Sequence, residues 1–120
     1  DDAQTKAVIK EIYDKYSYTL DTHTAVAVKV YEDYKKATGD NTKTVIASTA
    51  SPYKFSTAVL EAIEGKVSDM DEFDKVERLH EVSGYDVPKS LAELKNKPIR
   101  FTGAIGRDEM KDFVLKSLSL

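Results

Sequence analysis

The sequence predicts an α/β fold, in which a helix-rich chain contains a short pair of parallel strands. Apolar residues recur at helical spacing through most of the 120 residues. Two short runs rich in β-branched and apolar residues, 44–48 and 98–105, interrupt the helices and have the composition of buried strands. Because helices separate the two runs, we expect the strands to pair in parallel.

The N-terminal third of the chain predicts two helices. Residues 3–16 contain an apolar stripe at helical spacing, and a second stripe begins at Thr24. Asp21 or Thr22 can cap the start of the second helix, because short polar side chains accept hydrogen bonds from the first free N–H groups. Gly39 is well placed to end it.

The middle of the chain predicts the first strand, two further helices and a short helix. The run 44–48 is the strand, and a third helix follows it and ends at Gly65. A fourth helix is expected from a Ser68 cap to Gly84. A proline then starts a short helical stretch within residues 86–96.

The C-terminal part predicts the second strand, 98–105, and a last amphipathic helix over residues 107–118. Four apolar residues of this helix are expected to face inward: Met110, Phe113, Val114 and Leu118. Two strands make a poor sheet, since a parallel sheet normally has several members. The chain also does not begin with methionine, so we expect residues 1–120 to be a single, incomplete domain cut from a larger protein.

Composition excludes several classes of function. The net charge of −3, with scattered lysines and arginines, argues against nucleic acid as a partner. The absence of cysteine excludes disulfides and thiolate metal sites. No apolar run approaches the roughly 20 residues that a membrane span needs. The acidic, periodic N-terminus is not a signal peptide, and we expect a cytoplasmic location.

The common catalytic motifs are absent from the sequence. It contains only two histidines, His23 and His80, and we expect His80 at the edge of the core. An Asp21–His23 pair alone specifies no metal site. Neither the serine-hydrolase elbow nor a glycine-rich phosphate loop occurs.

Two polar loops remain as candidate sites, "DTHTAVA" at 21–27 and "STASPYKF" at 48–55. Each is expected before a helix, and the second directly follows a predicted strand, where ligands bind in open α/β sheets. Ser48 and Thr49 offer hydroxyls and Lys54 a positive charge. The same residues are also ordinary for turns and helix caps, so pattern alone leaves both interpretations open.

A non-enzymatic alternative is a complete α/β binding or adaptor domain. The chain has 7 tyrosines, mostly at helical spacing, and tyrosine-rich helix faces are typical of interfaces as well as cores.

The two loops resemble the C-terminal part of threonine synthase. That family typically carries a D-P-H-T-A-V-A-like block and then a strand leading into S-T-A-H-P-A-K-F. Here the blocks read "DTHTAVA" and "STASPYKF", and the tail "DVPKSLAELKNKPIRFTGAI" is similar to the family's end. The chain departs from the family at Thr22, where proline is usual, and at Ser51, where histidine is usual.

The resemblance implies a pyridoxal 5′-phosphate enzyme of fold type II, whose larger sheet the two strands would join. The implied reaction converts O-phospho-L-homoserine and water to L-threonine and phosphate. In such enzymes a neutral hydroxyl typically meets the pyridine nitrogen, which implies Thr49 here, with Ser48 second. The resemblance also suggests His23 and Thr24 beside the cofactor, and Lys54 near the substrate phosphate.

The resemblance also implies what this chain does not contain. The lysine that forms the Schiff base and the loop that binds the cofactor phosphate lie in the family's N-terminal region. We therefore expect the isolated chain to be inactive and to need the missing N-terminal part as its partner. Surfaces around Val26, Val30 and Val45 would then be exposed and would favour self-association.

Overall fold

Six α-helices and three short 3-10 turns form the fold of residues 1–119, which the computed structural model describes. The α-helices are α1 Asp2–Tyr16, α2 Thr22–Thr38, α3 Ser56–Glu64, α4 Glu72–Ser83, α5 Lys89–Ala92 and α6 Met110–Ser117. The 3-10 turns are Pro52–Phe55, Glu93–Asn96 and Arg107–Glu109.

Aspartates start the longer helices and glycines end two of them. Asp21 caps α2, and Asp71 caps α4 by accepting from two backbone N–H groups at 2.8 and 2.9 Å. The expected Ser68 cap is therefore wrong, because the helix begins three residues later at the stronger acceptor. Gly39 and Gly84 end α2 and α4 in the left-handed conformation, with φ of 71° and 70°.

The core lies between α1, α3 and α4, with the start of α2 packed against α1. Ile9 of α1, Leu60 of α3 and Leu79 of α4 are completely buried. α3 contacts both α1 and α4, so it is the central helix of this group. The N-terminal turn of α2 enters the same core through Ala25, which places the "DTHTAVA" loop against packed protein.

Tyrosine hydroxyls connect the end of α4 to the rest of the core. Tyr13 donates to the carbonyl of Val82 at 3.0 Å, and Tyr53 donates to the carbonyl of Tyr85 at 2.6 Å. The same carbonyl lies 2.6 Å from Nδ1 of His80. His80 itself is exposed and does not lie at the edge of the core as expected.

The predicted parallel strand pair is wrong, and with it the α/β class, because residues 1–119 contain no strand. Residues 44–48 and 98–105 are irregular, and the side chain of Val45 is 95% exposed. A strand forms only where a neighbour pairs with its N–H and C=O groups, and neither run meets such a neighbour. A run of β-branched residues therefore does not by itself predict a strand, because a strand also needs a neighbour to pair with.

The apolar residues expected to face inward from the last helix are exposed. Its first turn is the 3-10 turn at Arg107–Glu109, and α6 follows. Four side chains of the helical end are at least half exposed: Met110, Phe113, Val114 and Leu118. Exposure of Val26, Val30 and Val45, by contrast, is confirmed. Within residues 1–119, no helix is both long and apolar enough to cross a membrane.

Removing the Tyr53 hydroxyl tests the tyrosine connection. We expect Tyr53→Phe to lower the free energy of unfolding by about 1 kcal/mol, because a part-buried hydrogen bond to a carbonyl is lost while the ring remains. The matched control is Tyr34→Phe, whose exposed hydroxyl donates to Asp40 at 3.1 Å. Urea unfolding followed by circular dichroism measures both. An equal decrease in the free energy of unfolding for the two variants would contradict a stabilising role of the Tyr53 hydrogen bond.

Candidate functional site

A buried aspartate at the start of α2 is the centre of the candidate site. The side chain of Asp21 is only 1% exposed. Its Oδ1 accepts hydrogen bonds from the backbone N–H groups of His23 at 2.8 Å and Thr24 at 3.1 Å. These N–H groups would otherwise lack partners in the first turn, so one carboxylate oxygen is used to cap the helix.

The second carboxylate oxygen joins the two sequence motifs. Oδ2 of Asp21 accepts a short hydrogen bond from the hydroxyl of Thr24 and another from the hydroxyl of Ser48 at 3.3 Å. The two hydroxyl oxygens lie 3.2 Å apart. The "DTHTAVA" helix start and the "STASPYKF" loop are therefore in direct contact through a buried charge.

The charge on Asp21 is stabilised by its donors. Burial by itself would raise the pKa of this carboxyl. Hydrogen bonds from the Thr24 hydroxyl, from the N–H groups of Thr24 and His23, and from the Ser48 hydroxyl together hold the pKa below its ordinary value. Asp21 is therefore an anion at neutral pH, and it acts as an acceptor towards both hydroxyls.

An aromatic contact makes a second connection between the motifs, at the surface. The ring of His23 lies 5.5 Å from the ring of Phe55, centroid to centroid, and its side chain is 52% exposed. Nδ1 of His23 is 3.4 Å from Oδ1 of Asp21. His23 and Phe55 also border an open cavity of about 650 Å³, whose other lining residues are Asp2, Thr5, Lys6, Thr22, Val26 and Ala58.

Thr49 and Lys54 lie outside this network. Thr49 is exposed, and its hydroxyl has no hydrogen-bond partner within residues 1–119. Nζ of Lys54 lies 5.7 Å from the centroid of the Phe55 ring. Lys54 lines a different cavity, of about 440 Å³, between the 3-10 turn at Pro52–Phe55 and the start of α4. Of the predicted site residues, His23, Thr24 and Ser48 are therefore brought together around Asp21. Thr49 follows Ser48 in the sequence but makes no hydrogen bond to Asp21, and Lys54 lies at a separate cavity.

The sequence interpretation missed the two residues that connect the motifs. The sequence predicts Asp21 only as a possible helix cap, and it assigns no separate role to Phe55 at the end of the second motif. An aspartate at a helix start is a usable signal for a cap, but a contact with residue 48 is not encoded locally. Across residues 1–119, no group of three or more His, Asp or Glu side chains is arranged to hold a metal ion.

Fold and site together define a helical segment in which a buried carboxylate holds a hydroxyl-bearing loop against a helix start. Comparison with known families identifies the segment further. The sequence model described as "Threonine synthase, C-terminal" matches residues 24–114, which is more than half of the chain. The chain therefore belongs to the threonine synthase C-terminal family.

A curated relative agrees with this assignment. The threonine synthase of Methylobacillus glycogenes is 36% identical over 64 residues, which make up 53% of this chain and 13% of that enzyme. The family match includes Thr24, Ser48, Thr49 and Lys54, whereas Asp21 and His23 precede it. The similarity to a threonine synthase C-terminal segment, expected from the two motifs, is confirmed.

Titration of Asp21 tests the buried charge. A carboxyl whose pKa is lowered by folding stabilises the fold above its ordinary pKa of about 4, and that stability is lost as the pH falls through the folded-state value. We expect Asp21→Asn to cost about 1–3 kcal/mol at pH 7, because the charged acceptor of two hydroxyls is lost. The difference from the wild-type chain should shrink below about pH 4.

The control for this titration is Asp71→Asn, which removes an exposed cap of the same type. It should cost less than Asp21→Asn at pH 7, since Asp71 accepts only from backbone and stays in water. Urea unfolding at pH 7 and pH 2.5 measures both variants. A cost of Asp21→Asn that is the same at both pH values would contradict a charged, buried Asp21.

Proposed function

We propose that this chain is the C-terminal part of a pyridoxal 5′-phosphate-dependent threonine synthase. The reaction would convert O-phospho-L-homoserine and water to L-threonine and phosphate. Family membership over residues 24–114 supports the enzyme. The observation that carries the proposal is the contact of the two motifs at Asp21, which holds a loop with an unengaged hydroxyl, Thr49, beside a packed helix start.

The hydroxyls of Ser48 and Thr49 are chemically suited to contact the pyridine nitrogen of the cofactor. Thr49 is proposed to meet the pyridine nitrogen, with Ser48 as the second candidate. A neutral hydroxyl does not hold a proton on that nitrogen as a carboxylate would, which limits electron withdrawal by the ring. Pyridoxal phosphate, when bound, supplies the carbanion stabilisation that the reaction needs. The bond from Ser48 to Asp21 supports Thr49 as the first choice.

The other proposed site residues have separate roles. His23 is proposed to line the cofactor pocket, and its half-exposed ring at the edge of the 650 Å³ cavity supports this. Thr24 is proposed beside the cofactor as well, although its own hydroxyl is buried and donates to Asp21. Lys54 is proposed to face the substrate phosphate as a point charge, and its exposed side chain is available for that.

The rest of the enzyme is the proposed partner of this chain. The aligned segment covers only 13% of the Methylobacillus enzyme, so the lysine that anchors the cofactor is proposed to lie in the preceding part. Residues 1–120 would then be a single, incomplete domain. Exposed apolar side chains on α2 and in the C-terminal segment, among them Val30 and Phe101, support packing against more protein. We propose that the enzyme is cytoplasmic.

The function is tested on the full-length protein that carries this segment. We expect it to release phosphate from O-phospho-L-homoserine. Thr49→Val should lower kcat about five- to tenfold, as expected for the loss of a hydrogen bond worth about 1 kcal/mol, and should shift the cofactor absorbance. Thr44→Val, an exposed threonine of the same loop, is the matched control and should change neither quantity.

Two results would count against this proposal. No phosphate release by the wild-type protein would reject threonine synthase, and equal activities of Thr49→Val and Thr44→Val would reject the role of Thr49. The reading frame upstream of Asp1 separates the enzyme from the alternative, a non-enzymatic adaptor domain. A lysine motif and a glycine-rich phosphate loop support the enzyme, whereas a start codon directly upstream supports the adaptor.

The isolated chain is expected to associate with itself. Its exposed apolar side chains lack the protein that would cover them, and such patches drive association. Light scattering across a concentration series should show dimers or larger species. Phe113→Lys with Leu118→Lys should shift the chain towards monomer, whereas Lys111→Glu on the same helix should not. A monomer at all concentrations would contradict the expectation.

A further inference from the structure

We infer that Asp21 is a positioning residue, whose carboxylate holds Ser48 and thereby sets the direction of the neighbouring Thr49 hydroxyl. This inference rests on the proposed function, since it assigns Asp21 a task in the proposed cofactor site. It also gives the two hydroxyls different roles: Ser48 fixes the position of the loop, and Thr49 contacts the cofactor.

The Asp21 side chain is itself firmly held. Both of its oxygens are engaged, Oδ1 by two backbone N–H groups of α2 and Oδ2 by two hydroxyls. The side chain is buried, and α2 enters the core directly after it at Ala25. A group with this many contacts can fix whatever it binds, because its own rotamer has no alternative that keeps the contacts.

The chain that leads into Ser48 makes few other polar contacts with the rest of the fold. Between residues 39 and 47, the hydrogen bonds of the described chain are local, such as those from Thr42 to Asp40 and from Thr44 to Thr42. Within residues 1–119, the segment 43–50 makes one local hydrogen bond to its neighbour Thr42, and its only hydrogen bonds to a distant part of the chain are those of Ser48. The contact with Asp21 is therefore the polar connection that sets where residues 48–50 lie.

The hydroxyls of Ser48 and Thr49 differ in whether their proton is already donated. Asp21 is an acceptor, so the hydroxyl of Ser48 donates its only proton to the carboxylate. Ser48 then has no proton left for a ring nitrogen. Thr49, one residue further, keeps its donor, and its exposed hydroxyl is directed by a neighbour that is already fixed.

The test uses a variant that can still cap the helix but lacks the carboxylate that contacts Ser48. Asp21→Ser retains a side-chain acceptor for the first-turn N–H groups, since serine is a good N-cap, but is too short to replace the Ser48 contact. Ser48→Ala removes the other partner of the same contact. Asp71→Ser makes the same change at the start of α4, where Asp71 accepts only from the backbone N–H groups of its own helix, and is the control.

The first measurement is structural and does not depend on activity. In NMR spectra of the 120-residue chain, Asp21→Ser and Ser48→Ala should both shift the amide signals of residues 48–50 and speed their hydrogen exchange. Asp71→Ser should leave those signals unchanged. Unchanged signals in both site variants would overturn the inference, while the proposed function would still be judged by the activity of the wild-type enzyme.

The second measurement is made on the full-length enzyme at a temperature where circular dichroism shows every variant folded. Asp21→Ser and Ser48→Ala should each lower kcat about 10- to 100-fold, as displaced reacting groups do, with the KM for O-phospho-L-homoserine nearly unchanged. The double variant should be no worse than either single variant, because both remove one contact. The cofactor absorbance should shift in all three.

The activity measurements distinguish a failure of the proposed function from a failure of the positioning role of Asp21. A wild-type enzyme without threonine synthase activity rejects the proposed function before any variant is compared, and the positioning role falls with it. An active wild-type enzyme whose Asp21→Ser and Ser48→Ala variants keep full kcat rejects the positioning role alone. Additive losses in the double variant also reject it, since they would mean that the two side chains act independently.

Discussion

The buried carboxylate of Asp21 is the interaction on which the organisation of this site depends. Placing a charge out of water is costly, and four donors offset that cost here. Two of them are free N–H groups of a helix start, where the helix dipole also favours an anion. The same carboxylate then reaches Ser48, so the energy that stabilises the helix start also holds a loop in place.

Packing elsewhere supports this arrangement. α3 lies between α1 and α4, and the buried residues Ile9, Val59 and Leu79 belong to one apolar cluster that holds the three helices together. The hydroxyl of Tyr53 connects the 3-10 turn that follows the loop to the carbonyl of Tyr85. Both ends of the segment from Ser48 to Phe55 are thus attached to the core. Ser48 is attached through the carboxylate of Asp21, and the other end through the hydroxyl of Tyr53.

The chain is more extended than a complete domain of its length. Its radius of gyration is 18.9 Å, whereas about 14 Å is typical of a compact domain with this number of residues. In the C-terminal segment, the side chains of Ile99 and Phe101 are more than 80% exposed. Unburied apolar surface on this scale supports the proposal that the chain packs against the remainder of an enzyme.

Only part of this site can be predicted from local sequence patterns. The two motifs and their family were readable from the residues alone, because motif and spacing are properties of the chain. Helix ends at Gly39, Gly65 and Gly84 were also readable, since a glycine after the last turn is a local signal. The contact between Asp21 and Ser48 was not, because it joins residues 27 positions apart.

The sequence by itself determined the main helices, the glycines that end them and the two loop motifs, because each depends on side chains within one or two turns. Only the tertiary structure decided that the runs 44–48 and 98–105 form no strand, since a strand exists only when a partner satisfies its backbone. It also decided which loop hydroxyl is engaged and which is not, because the fold brings Asp21 to Ser48 and leaves Thr49 exposed.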